Sequence, residues 1–99
     1  MLNITTTKEA STVFITLDGR LDTTTAQSLE NEIRDKLGNA SELIFDFAKL
    51  EYVSSAGLRV LLATQKTMNK QGSMCIKNVA PAVKDIFEVT GFADIISIV

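Results

Sequence analysis

Apolar positions recur every second residue at the start of the chain, then at helical spacing, and the two periods alternate to the C-terminus. Asn3 to Thr7 and Val13 to Leu17 are β-rich runs, and Val13, Ile15 and Leu17 alternate with Phe14 and Thr16. Side chains of a strand point to opposite faces in turn, so this spacing predicts one apolar face and one partly apolar face. Lys8-Glu9-Ala10-Ser11 between the runs predicts a hairpin, and Gly19 breaks the second run. Ala26, Leu29, Ile33 and Leu37 follow at helical intervals, with N-cap candidates in Thr23-Thr24-Thr25 and a stop at Gly38.

Leu43 to Phe47 reads as a short, largely buried strand. A second helix is predicted from Ser55 or Ala56, carrying Leu58, Leu61, Leu62 and Met68 along one side and closed by Gly72. Met74-Cys75-Ile76 is another short strand. Pro81 suits the first turn of a third helix, where its missing N–H would have no partner anyway. Val83, Ile86 and Phe87 form that helix's stripe, Gly91 is its cap, and Ile95 to Val99 is a last β-branched run.

The order β-β-α-β-α-β-α-β implies an α/β fold whose sheet is mostly parallel, with right-handed crossovers and an antiparallel hairpin at its N-terminal edge. Ligands and partners of such sheets meet the loops beyond the carboxyl ends of the strands. Tyr52-Val53-Ser54-Ser55-Ala56-Gly57-Leu58-Arg59 would occupy one of those loops: an apolar run ending in Phe47 leads into a small-residue turn that opens a helix.

Composition narrows the chemistry. Ninety-nine residues, 45% of them apolar, make one domain with a core of its own. The single cysteine, Cys75, permits no intramolecular disulfide and fits a reducing compartment; in its apolar strand it reads as a small buried hydrophobe. A formal charge of −2 with scattered Lys and Arg gives no footprint for nucleic acid. The N-terminus lacks the pattern of a signal peptide, and no run approaches the ~20 apolar residues of a membrane span. The expectation is a cytoplasmic domain.

The chain holds no histidine, so neither a zinc site nor a conventional serine hydrolase fits it. A hydrolase would need Lys49, Lys66 or Lys70 as its base, and none has a supporting motif. Asp22, Asp46 and Glu51 are too scattered to read as a Mg²⁺ site, and the chain has no glycine-rich phosphate loop. Two hydroxyls at a helix N-terminus with no activating base suggest a serine that is acted upon rather than one that acts.

Each residue near that turn has a structural reading beside the functional one. Ser55 is either a helix cap or a modified serine, and Ser54 a cap, a small residue that lets the turn pass, or a second acceptor. Gly57 serves close helix–sheet packing or access to Ser55. Asp22 and Thr23 to Thr25 read as caps of the first helix, and Asp46 points into the strand-end cleft or bonds locally. Arg59 reads as a surface arginine.

Gly19-Arg20-Leu21-Asp22, Asp46, Ser54-Ser55-Ala56-Gly57-Leu58, Asn78-Val79-Ala80-Pro81-Ala82-Val83 and Phe87-Glu88-Val89-Thr90-Gly91-Phe92, in this order and spacing, resemble the STAS family of sulfate transporters and anti-sigma factor antagonists. The resemblance covers the whole chain and implies one STAS domain over residues 1–99, with three to four helices on a mixed sheet. Stand-alone domains of this length resemble bacterial anti-sigma factor antagonists, which implies a binding protein rather than an enzyme, without a cofactor of its own. Its partners would then be an anti-sigma factor that is also a serine kinase and a PP2C-type phosphatase, with partner switching as the means of transcription control.

Carried over by position, the phosphorylation site is Ser55, and the partner-binding residues are Asp22, Thr23, Ser54, Ala56, Gly57 and Leu58. The resembled antagonists often carry an aspartate where this chain has Ser54. A further C-terminal helix of longer relatives is expected to be absent or very short, and the free protein to be a monomer. The alternative within the family is a STAS subunit of a transport or sensory complex that binds its partner constitutively.

Overall fold

A computed structural model describes residues 2–99. Five strands form one sheet in sequence order: β1 (Leu2–Glu9), β2 (Thr12–Leu21), β3 (Glu42–Val53), β4 (Ser73–Lys77) and β5 (Ser97–Ile98). The first pair is antiparallel and the other three are parallel. Helix α1 (Ala26–Lys36) links β2 to β3, α2 (Ser55–Gln71) links β3 to β4, and α3 (Pro81–Thr90) leads through a 3₁₀ turn, Phe92–Asp94, to β5. The expected α/β fold with its antiparallel N-terminal hairpin is the one observed.

Each crossover steps in the same direction along the sheet, so right-handed connections put all three helices on one face. That face is the core. Val13, Ile15, Leu43, Phe45, Phe47 and Ile76 are almost wholly buried there, and the Phe47 ring lies 5.6 Å from Phe45 and 6.3 Å from Phe87 of α3. The alternate residues Phe14, Ile44 and Cys75 face the other side and are half-buried.

The two strands that carry the functional end are longer than the sequence pattern predicts. β2 does not stop at Gly19; it runs on to Leu21, with Gly19 at φ +121°, a region that favours glycine, beside a register shift. β3 does not end at Phe47. Thr16 and Asp18 face Asp46 and Lys49, and Gly19 and Arg20 face Leu50 and Tyr52, so β3 takes one extra residue at each of two places. Its buried positions therefore pass from a spacing of two (Leu43, Phe45, Phe47) to a spacing of three (Phe47, Leu50, Val53). No simple alternation reveals that pattern.

Helix ends follow local chemistry. α3 starts with Pro81 and ends on Gly91 at φ +81°, the left-handed cap that glycine favours. Past α2, a Cβ on Gly72 would lie 1.8 Å from the Ser41 carbonyl oxygen, so only glycine fits where the helix turns into β4. On α2 itself Leu58, Leu61 and Met68 are buried as the spacing predicts, but Leu62 is half-buried and Thr64 and Gln65 take core-side positions. The last run is shorter than expected: Ile95 is 52% exposed, and only Ser97–Ile98 is strand.

Candidate functional site

The carboxyl ends of β2 and β3 meet the N-terminus of α2. The Ser54 N–H donates to the Leu21 carbonyl (2.8 Å), which ties the two strand ends together. Ser54 is extended (φ −86°, ψ 173°) and is the N-cap of α2. Its Oγ accepts from the Gly57 N–H at 3.3 Å, and its carbonyl accepts from the Leu58 N–H at 2.9 Å. Of the two serines, the cap is thus Ser54, not Ser55. Ser55 is the first residue of the helix and exposed, and among the described residues its hydroxyl makes no hydrogen bond.

Gly57 sits three residues past the cap because the helix crosses the end of β2 there. A Cβ at this position would lie 2.7 Å from Leu21 Cγ and 3.1 Å from the Leu21 carbonyl oxygen. This is the close helix–sheet approach, and the buried Leu58 continues it into the core. Both residues turn inward and set the position of Ser55; Ala56 is half-buried on the groove side.

Asp22 organises the neighbouring loop. Its Oδ1 accepts from the Thr24 hydroxyl (2.8 Å) and from the Thr24 and Thr25 N–H groups (3.1 Å each). The Thr24 hydroxyl bond is the main reason that the carboxyl titrates below its ordinary value; desolvation opposes it, and the Thr25 and Thr24 N–H groups add to the lowering. Asp22 thus serves to turn the chain into α1, and Thr25 completes the turn by donating to the Arg20 carbonyl at 2.8 Å. Thr23 points out, and with Gln27 of α1 and Ala56 and Arg59 of α2 it lines a shallow groove between the helices, beside Ser55.

Across the sheet, the Arg20 guanidinium stacks 4.6 Å from the centre of the Tyr52 ring. Both residues are exposed on the helix-free face at the same end of the sheet. The spacing of the sequence did not single out this pair, since the partnership depends on the two extra residues of β3. Asp46 Oδ1 accepts locally from the Ala48 N–H (3.0 Å) and across the fold from Asn78 Nδ2 (3.2 Å), which ties the irregular part of β3 to the loop after β4. Burial raises the Cys75 thiol above its ordinary pKa, so it is a poor nucleophile at neutral pH.

No group of three His, Cys, Asp or Glu is arranged to hold a metal among the described residues, and none of their helices is long and apolar enough to cross a membrane. What the site offers is an exposed hydroxyl on the first residue of a helix, beside the first N–H groups, which have no partner within the helix. It is a place to receive a negative charge.

Comparison with known proteins gives a consistent picture. A family model described as the STAS domain matches residues 3–99. A Bordetella bronchiseptica protein named "Putative anti-sigma factor antagonist BtrV" is 33% identical over 81 residues, 80% of this chain and 70% of that protein. A crystal structure of an anti-sigma factor antagonist from Mycobacterium paratuberculosis superposes with a TM-score of 0.89 at 21% identity, over 99% of this chain and 85% of that one. The Bacillus protein SpoIIAA, 20% identical, superposes at 0.83 in its unphosphorylated form, over 98% of this chain and 88% of its own, and at 0.74 in its phosphorylated form, over 100% and 91%.

Proposed function

This chain belongs to the STAS domain family, and from that premise we propose that it is an anti-sigma factor antagonist switched off by phosphorylation of Ser55. In this reading the unmodified protein binds an anti-sigma factor that is also a serine kinase and so releases the sigma factor. The kinase supplies ATP and Mg²⁺; this chain supplies only the hydroxyl. A PP2C-type phosphatase resets the switch, and the protein works in the cytoplasm as a monomer when free.

The observation that carries the reading is the division of labour between the two serines. Ser54 holds the helix cap, and Ser55 presents a hydroxyl with no structural duty at an exposed helix start. Serine and aspartate cap helices about equally well, so Ser54 in place of the aspartate common in the resembled antagonists keeps the turn intact and loses only one charge. The name of the Bordetella relative and the existence of SpoIIAA in both phosphorylation states support the same reading.

Phosphorylation adds about −1.5 to −2 charges at pH 7. At the start of α2 that charge meets the positive end of the helix, so the fold has no reason to open. The cost falls on the complex, where desolvating that charge against the docked surface opposes binding by several kcal/mol. Around the acceptor, the Asp22–Thr23 loop and the Ala56 side of α2 form the partner surface, while Ser54, Gly57 and Leu58 support it from within.

Intact-mass measurement after incubation with the cognate anti-sigma kinase and Mg·ATP tests the assignment. One added phosphate is expected on wild type and Ser54→Ala and none on Ser55→Ala. No phosphate on any of them, with a kinase proven active on another substrate, would leave a constitutive binding subunit as the better account.

A further inference from the structure

Arg59 lies one helical turn beyond Ser55, exposed where the groove between α1 and α2 opens beside Thr23, Gln27 and Ala56. Among the described residues it has no carboxylate partner: the ion pairs are Arg34 with Glu30 and Lys36 with Glu32, all on α1. Glu30 also borders this groove, but its carboxylate is engaged by Arg34 at 3.6 Å. Arg20, the other arginine at this end of the sheet, is stacked on Tyr52 on the opposite face. Arg59 is thus the cation of this groove without an assigned task.

Its spacing from Ser55 supplies one. Residues four apart on a helix are surface neighbours, with Cβ atoms about 5–6 Å apart. Helical side chains lean toward the N-terminus, so the side chain of Arg59 reaches back over the first turn, where Ser55 stands. An acidic group four residues before a basic one is also the more favourable order of the pair. A guanidinium presents a planar fork of donors that matches two phosphate oxygens at once, which an ammonium does not.

Resting on the reading that Ser55 carries a phosphate, we propose that Arg59 is the phosphate's ligand within the same chain, folding back one turn to close on its oxygens. The modification then changes two things in one step. It adds a negative group at Ser55, and it withdraws from the groove the positive side chain that the unmodified protein presents there. Counted over the pair, the local charge passes from about +1 to about −1. A partner that had docked on the groove meets the opposite sign and a guanidinium already occupied.

The test needs no kinase. Phosphoserine is incorporated by genetic encoding at position 55 in wild type, Arg59→Gln and Arg59→Lys, and the phosphate is titrated by ³¹P NMR. The helix start is common to all three chains, so any difference belongs to residue 59. The second ionisation of the phosphate is expected lower in wild type than in Arg59→Gln by about half a unit, roughly threefold in proton affinity. Arg59→Lys, which keeps the charge without the fork, is expected in between. Coincident curves for wild type and Arg59→Gln, in chains with matching circular dichroism, would overturn the proposal. Failure of the kinase to modify Ser55 would instead strike the phosphorylation reading, and the titration would still report on the pair.

Discussion

Ser54 and Ser55 are adjacent and chemically identical, yet one is structural and the other is not. The difference is backbone geometry: Ser54 is extended and aims its Oγ at the Gly57 N–H, whereas Ser55 has already entered the helix. Loss of a serine cap costs about 0.5–2 kcal/mol. In a domain of this size, 1 kcal/mol moves the melting temperature by about 4–8 °C. Thermal unfolding followed by circular dichroism should therefore show Ser54→Ala lower by several degrees and Ser55→Ala close to wild type. Equal losses in both would contradict the assignment of the cap. Spacing alone could not separate the two, because either serine can precede a helix that starts at Ser55 or Ala56. Asp22 is a similar case: its identity marked it as a cap or a contact, and only the bonds to Thr24 and Thr25 show that it holds the turn.

At the scale of elements, all three α-helices were legible from apolar spacing and from their end signals, Gly38, Gly72, Pro81 and Gly91. The strands were legible only where they alternate. β3 escaped past Phe47 because its extra residues at Asp46–Lys49 and Leu50–Tyr52 shift the buried set to every third position, and so the partnership of Arg20 with Tyr52 stayed hidden. The glycines test the packing between elements. Gly57 faces the buried Leu21, whose side chain and carbonyl oxygen must each give by a few tenths of an ångström, whereas Gly72 faces the Ser41 backbone, which cannot move without shifting β3. Alanine gains up to ~1 kcal/mol of helix propensity at position 57, but overpacking costs about 1–3 kcal/mol and more where the backbone is struck. Gly57→Ala is thus expected to lose about 1 kcal/mol in urea unfolding, and Gly72→Ala about 3 kcal/mol or more. A Gly72→Ala variant as stable as wild type would show that the close crossing at Ser41 does not exist.

At the scale of the molecule, one-sided packing decides where the proposed switch can sit. Every helix lies on one face of the sheet, so the carboxyl ends of β2 and β3, the Asp22 loop and the start of α2 converge on a single edge. The order of elements foretold that convergence; what it did not foretell is how the edge is finished, with a capped turn, a groove and an exposed hydroxyl. The charge of the proposed phosphate would arrive on a capped helix start, so its effect should appear in association and not in the fold. The most direct measurement is isothermal titration calorimetry of the cognate anti-sigma factor against unmodified and Ser55-phosphorylated protein. The account predicts at least about a 100-fold weaker Kd for the phosphorylated form, or about 2.7 kcal/mol, with unchanged circular dichroism. Equal affinity of the two forms would contradict it.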